Sequence, residues 1–390
     1  MINHKRGRLC YGFSDRLTVM EDLAMKRRTF IQSGLAASLG TPLLAALQQD
    51  RLDEAAEVLA RATAQDQVAA AVLHVTQRQV SFTRAFGKAR SEHAMFLLGS
   101  ISKPIAMTAL MTLFDKGAFK LDDPLQKFIP QFTGEGRDDV TLRDLLSHVS
   151  GLPDQLPEND ALRKKHAPLS EFAEHAIRTP LHFAPGSKYQ YSSMAILLAA
   201  RVAELLSDTD ILTLVDRAVF QPLGMKHSAQ GLGRFSLDEL VPVQTEFAAV
   251  EAGGGDPNAK DWDWNSPYWR KLGAPWGGAH ASAPDLARFL GEFLFKNGAA
   301  VKPETARLMT SNHNQPGQTP RGLGLNVGKA AGSAGCSEKT FGHTGSTGTV
   351  AWADPASETI CVVLTSLPAR AVQPHPRDLA AGKIAAAAAS

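Results

Sequence analysis

The sequence predicts an α/β (α+β) fold: an antiparallel sheet flanked by helices and built from both chain ends, with a helical subdomain inserted between them. Three observations carry this. Two β-rich segments, "VAAAVLHVT" and "VSFTRAFG", lie close together near residue 80; the pattern from residue 100 to about 300 is mainly helical; and strand character returns in "GLGLNVG", "TVAWAD" and "ETICVVLTS". Distant strands share one core most simply by joining one sheet, and a cleft is then expected between the sheet and the helical insertion.

Taken in order, residues 1–50 read as a leader and residues 51–390 as the folded domain. The sheet part is expected over about 51–100 and 300–390, and the helical part over about 101–300. Residues 51–64 have the charged, Ala/Leu-rich make-up of a helix. The two β-rich segments that follow, separated by "QRQ", read as a hairpin. Helix starts are marked at Thr141 with Asp144, at Ser236 with Glu239, and at Ser282 with Asp285. Each sets a capping oxygen three residues before an acid, which serves amide hydrogens that have no partner inside the helix. The alanine-rich end reads as a closing helix. No internal repeat is present.

Composition narrows the function classes. With 44% apolar and 21% charged residues, the 390-residue chain can bury a sizeable core. Its net charge of +2 is concentrated in the leader and leaves no basic stripe, so nucleic acid is not an expected partner. Lys26, Arg27 and Arg28 precede an uncharged stretch over residues 29–49, which resembles a twin-arginine export signal and implies a periplasmic or otherwise exported protein. Pro42 and the polar residues there dilute the stretch too far for a stable membrane span. Cys10, Cys336 and Cys361 are not spaced for zinc; Cys336 and Cys361 are expected to be unpaired, the first exposed and the second buried.

The chemistry lies in three clusters. "SISKP" holds the only lysine that follows a serine by three positions. Pro104 is tolerated only in a first turn, so the helix starts near Ser100 and Lys103 shares its face. A hydroxyl there feels the positive end of the helix and an adjacent ammonium, and a neutral lysine could take its proton. A capping serine followed by an exposed lysine is the alternative. In "FAPGSKYQYSSM", Tyr191 and Ser193 stand at a loop-to-helix junction, where a phenol can reach a cleft or merely pack. In "KTFGHTGSTGTV", His343, Thr344 and Gly345 lie just before a strand. The glycines there permit close approach by a substrate, and the Ser346 amide can join the Ser100 amide as an oxyanion donor.

Together these clusters resemble the three boxes of the serine β-lactamase-like superfamily: S-x-x-K, a tyrosine box and K-T-G. The likeness is strongest to its class C β-lactamase, family VIII carboxylesterase and D-aminopeptidase branch, with the penicillin-binding proteins as wider kin. "VTLRDLLSHVSGLP", "FAPGSKYQYSS", "VFQPLGMKHSA" and "GGAHASAPDLARF" support it, in the expected order from about residue 67 to 390. The resemblance implies Ser100 as nucleophile, Lys103 and Tyr191 as a proton-handling pair in which either is open as the base, and the Ser346 and Ser100 amides as oxyanion hole. Two positions depart from the pattern: Ser193 stands where the tyrosine box ends in asparagine, and His343 where the third box begins with lysine. Both departures favour small esters, or another simple acyl donor, over β-lactams; a β-lactamase or D-amino-acid peptidase is the alternative.

No metal or organic cofactor is implied. The chain has no G-x-S-x-G or H-E-x-x-H, and its twelve histidines are scattered. His148 reads as structural. The segment "DWDWNSPYWRKLGAPWGG" reads as subdomain packing, with cleft lining as the alternative. A non-catalytic relative that binds peptidoglycan-like ligands or a protein partner is the rival from another class, and retention of the three reactive side chains speaks against it. The oligomeric state is not legible.

Overall fold

The computed structural model describes residues 40–78 and 80–388. The basic segment at residues 26–28 and Cys10 lie outside the described residues. The chain divides into two units, Met1–Asp50 and Arg51–Ser390, and among the described residues every strand belongs to the second.

β1 (Ala70–Gln77) and β2 (Val80–Gly87) pair from Gln77↔Val80 out to Ala70↔Gly87, the expected hairpin. β3 (Phe96–Leu97), β4 (Ser228–Gln230) and β5 (Ala279–Ala281) form a separate three-stranded sheet in the order β3-β5-β4. The late strands are β6 (Asn326–Val327), β7 (Phe341–Gly345), β8 (Thr349–Asp354) and β9 (Thr359–Thr365). They join the hairpin in a six-stranded antiparallel sheet ordered β2-β1-β9-β8-β7-β6, so the two ends of the chain do share one sheet.

Both faces of that sheet are covered. Leu73, Val75, Trp352, Cys361 and Val363 face Leu52, Ala55 and Leu59 of α1 (Gly40–Ala64), together with Ile384 of the closing helix Pro376–Ala388. The alternate residues, Val72, Ala351, Ile360, Val362 and Leu364, share the other core with Leu286, Phe289, Leu290 and Phe293. Burial on both sides removes the apolar-polar alternation of a half-exposed strand, which is why "TICVVLT" is apolar almost throughout. α2 (Ser102–Asp115) is buried all round from Ser102 to Leu113, as a helix passing through the middle of a large core must be. No helix among the described residues is long and apolar enough to cross a membrane.

Several local expectations change. His343 and Gly345 lie within β7 rather than before a strand. The helix Ala283–Phe295, in the stretch assigned to the helical part, packs on the large sheet. Its start is capped by Ser282, which accepts from the Asp285 amide, and Thr141 with Asp144 makes a full capping box. Ser236 and Glu239 form the same box, but it opens only the 3-10 turn Leu237–Glu239. A cap satisfies free amides without supplying the apolar stripe that prolongs a helix. Cys336 is buried rather than exposed, because its loop folds against the core containing Trp352 and Cys361; both cysteines are free thiols.

Candidate active site

Ser100 is placed by two threonines, Thr347 in the turn after β7 and Thr349 at the start of β8. Thr347 Oγ1 donates to the Leu97 carbonyl at 2.7 Å, and Thr349 Oγ1 donates to the Leu98 carbonyl at 2.8 Å. These bonds hold the end of β3 against the β7–β8 turn just where the chain enters the 3-10 turn Gly99–Ile101 that leads into α2. The approach is tight. Gly99 has φ 57°, and a Cβ on it would meet Ser346 N at 3.1 Å. On Gly345 a Cβ would fall 2.1 Å from the Leu98 carbonyl oxygen, so this glycine is required by the neighbouring backbone and not, as the sequence suggests, by an approaching substrate.

Neither Ser100 nor any other side chain caps the 3-10 turn or α2, so the alternative of a capping serine does not apply. The Ser100 hydroxyl instead lies 3.1 Å from Lys103 Nζ, which also donates to the Trp276 carbonyl at 2.9 Å. Lys103 is buried. Desolvation is the main cause that drives its pKa down to about 7, with Arg321 adding to the drop and the Asp154 carboxylate opposing it. About half of the lysine is therefore neutral near pH 7. One N–H then binds the Trp276 carbonyl while the lone pair is free to turn toward Ser100.

Tyr191 sits two residues before the helix Ser193–Ser207, its ring 4.7 Å from Lys103 Nζ and 5.5 Å from the Arg321 guanidinium carbon. Tyr191 as a whole is half-buried. The hydroxyl is buried beside Ser100 without a well-formed hydrogen bond. Burial raises the phenol pKa well above its usual value, and Arg321 and Ser100 only partly offset this. The phenol therefore keeps its proton at neutral pH. His148, read as structural, packs its ring 4.7 Å from that of Tyr191, and its Nδ1 accepts the Ser192 amide at 3.1 Å. It is a positioning residue at the edge of the site.

His343 is buried. Its Nδ1 donates to the Thr344 carbonyl at 2.7 Å, and its Nε2 accepts from Arg321 at 3.5 Å. Burial first, then Arg321 and Lys103, hold its pKa well below the ordinary histidine value, so it is neutral. Ser193 is also committed: its amide and its hydroxyl both donate to Asp154 Oδ1, at 2.9 and 2.6 Å. Two pockets, of about 690 and 230 Å³, adjoin at Ser100, Tyr191 and Ser346. His343, Gly345 and Arg321 line the larger; Lys103, Asp154 and Ser193 line the smaller, with Trp264, Trp269 and Trp276 as its walls. The Trp-rich segment thus both packs the subdomain and lines the cleft.

The structure brings all seven residues singled out from the sequence to one place. It adds two that the sequence did not flag, Asp154 and Arg321. Asp154 follows "SGLP", and the only sequence signal for Arg321 is a lone arginine before "GLGLNVG".

A family model described as Beta-lactamase matches residues 55–386. Esterase EstB from Burkholderia gladioli is 31% identical over 209 residues, which is 50% of this chain and 51% of that protein. The chain therefore spans about half the length of that curated relative. A protein of Escherichia coli (strain K12), provisionally named D-alanyl-D-alanine carboxypeptidase, is 26% identical over 346 residues, 76% of this chain and 78% of its own. Among solved structures, a penicillin-binding protein homologue from Caulobacter crescentus covers 87% of this chain and 98% of its own at TM-score 0.71 and 20% identity, a likeness that speaks for the fold. With a match running from α1 into the closing helix, the chain belongs to the Beta-lactamase family of serine hydrolases.

Proposed function

We propose that the chain hydrolyses small esters through an acyl-enzyme at Ser100. The observation that carries this reading is the contact between the Ser100 hydroxyl and a buried lysine whose pKa is about 7. In its neutral form Lys103 takes the Ser100 proton as Oγ attacks the ester carbonyl, and the Ser100 and Ser346 amides hold the oxyanion. The protonated Tyr191 then gives its proton to the leaving alkoxide as the carbonyl reforms, and the Lys103 ammonium restores it. Water attacks the acyl-Ser100 ester by the reverse route. The two groups titrate as a coupled pair, so proton transfer belongs to the pair; the resting protonation states favour the lysine as acceptor.

The choice of ester over lactam now rests on Ser193 more than on His343. Arg321 beside His343 supplies a fixed positive charge where the third box lacks its lysine. Ser193, by contrast, has donated its hydroxyl to Asp154 and cannot offer the paired donor and acceptor of an asparagine amide. Losing one neutral hydrogen bond costs about 0.5–1.5 kcal/mol, roughly 2- to 10-fold in kcat/KM. We expect kcat/KM for p-nitrophenyl butyrate to exceed that for a chromogenic cephalosporin, and Ser193→Asn to raise the second value by that factor. His343→Lys, which sets an ammonium against Arg321, is not expected to help. Cephalosporin turnover above that of the ester would move the assignment to β-lactamase, the second reading, which the Arg321 charge favours.

Export through the twin-arginine segment is proposed with it, on the strength of Lys26, Arg27 and Arg28 before an uncharged stretch. We expect the protein recovered from the periplasm to lack about the first 45 residues, and Arg27→Lys with Arg28→Lys to retain it in the cytoplasm. Intact-mass measurement decides this, and a full-length cytosolic species as sole product counts against it.

A further inference from the structure

Asp154 stands in the wall of the smaller pocket, and among the described residues no Lys, Arg or His forms an ion pair with it. Its contacts are lopsided. Oδ1 accepts from both the amide and the hydroxyl of Ser193, at 2.9 and 2.6 Å, whereas Oδ2 accepts from nothing and is not closed off from solvent. The two Ser193 bonds fix the carboxylate against the start of the helix Ser193–Ser207, so its orientation is set before any ligand arrives. Since Asp154 lines the cavity that reaches Ser100 and Oδ1 is turned to the helix, Oδ2 is the oxygen left for a ligand. A carboxylate oxygen only accepts, and its hydrogen bonds are about twice as strong as those between neutral groups.

The geometry points to Asp154 as a specificity-determining residue: its free oxygen accepts a hydrogen bond from a hydroxyl on the acyl group of the ester, so the substrates are short hydroxyacyl esters. The inference rests on the acyl-enzyme reading for the chemistry at Ser100 and names the substrate class of that site. The other groups of the pocket narrow the donor. Lys103 is near half-charged, and Arg163 is a buried guanidinium 3.8 Å from the Trp269 ring centre, bonded to the Glu251 carbonyl. A ligand ammonium would meet both cations, while a neutral hydroxyl meets no such repulsion. Arg370 and Glu251 also line the pocket but are exposed. The cavity holds about 230 Å³ between the walls formed by Trp264, Trp269 and Trp276, which admits a short chain more readily than a bulky acylamino group. The polar contact of the tyrosine box has thus moved from Ser193 to a carboxylate 39 positions earlier, and its character has changed from paired donor and acceptor to acceptor alone.

The test measures kcat/KM on the full chain for the p-nitrophenyl esters of 2- and 3-hydroxybutyrate against those of the isosteric 2- and 3-methylbutyrates, each corrected by its rate of alkaline hydrolysis. At least one hydroxy ester is expected to exceed its isostere by about 10-fold or more. Asp154→Asn keeps an oxygen for Ser193 but turns an NH2 group to the pocket, and should bring the ratio to about one or below. Asp154 also acts on Lys103, so absolute rates move in that variant and only the ratio is read. The preference should persist in Gln155→Leu, which removes the other polar side chain of that loop in the pocket. Ratios near one for both pairs, a ratio that survives Asp154→Asn, its loss in Gln155→Leu, or a still larger preference for the 3-aminobutyrate ester overturns the inference. Should Asp154→Asn fail to fold by circular dichroism, the wild-type ratios with the Gln155→Leu arm still decide. Binding of the matching methyl esters to Ser100→Ala, followed by ligand-observed NMR, separates the two readings. Ester turnover without a hydroxyl preference removes the Asp154 subsite alone, and a hydroxyl preference in binding without ester turnover or acylation of Ser100 removes the acyl-enzyme reading alone.

Discussion

Ser100→Ala is expected to lose ester turnover by roughly 10⁴-fold or more and to take no fluorophosphonate label, while remaining folded. The size of the loss reflects the role of the hydroxyl. In the proposed reaction it forms the covalent bond, and a methyl group in its place leaves Lys103 with no proton to accept; the backbone amides proposed as oxyanion donors stay in position and would account for residual rate. The fold is expected to survive because the side chain caps nothing: no side-chain bond closes the 3-10 turn Gly99–Ile101, and the threonine bonds that fix this junction run to the Leu97 and Leu98 carbonyls. Labelling of the purified wild type and variant, followed by peptide mass mapping, is the direct measurement. Equal labelling of Ser100→Ala would sink the nucleophile assignment.

Replacing the proposed base, Lys103, has the second largest expected effect. Lys103→Met should lower kcat/KM by about 10²- to 10³-fold, and the wild type should show a matching pH dependence. The sign is set by burial. The protonated lysine is the form disfavoured out of water, so its pKa falls to about 7, and only the neutral form accepts the Ser100 proton. The kcat/KM profile is therefore expected to rise about tenfold per pH unit below 7 and to level off above it, with no falling limb from Tyr191 in the accessible range because that phenol keeps its proton. Removing a nearby cation eases the charging of Lys103, so Arg321→Gln should shift the inflection to higher pH. A profile flat between pH 5 and 8, or an inflection unmoved by Arg321→Gln, would show that Lys103 does not set the limb. The methionine variant separates a catalytic from a structural role: a packing defect would lower stability without changing the shape of the profile.

Much of the fold and most of the site were legible in the sequence, since each depends on neighbours a few residues apart. Pro104 limits where α2 can start, and that start brings Ser100 and Lys103 onto one face. The pattern of "VAAAVLHVT", "VSFTRAFG" and "ETICVVLTS" marks strands because their side chains pack in rows, and the Thr141–Asp144 box closes on itself within one turn. The histidine and glycines of "FGHTGS" could be named as a site from their likeness to a known box, but not their roles. Gly345 is needed by the Leu98 carbonyl, a contact across some 250 positions.

What only the tertiary structure decided are the protonation states and the charge balance, because electric fields and desolvation depend on distance through space. Lys103 is near half-neutral because a core closes round it and the Arg321 charge adds to the effect of that burial. Tyr191 stays protonated for the same reason of burial. The missing third-box lysine reads in the sequence as a lost positive charge, yet Arg321, twenty-two residues earlier, stands beside His343 and restores it. Local sequence determines which reactive groups this protein carries; the fold determines how many protons they hold and which charge is left without a partner.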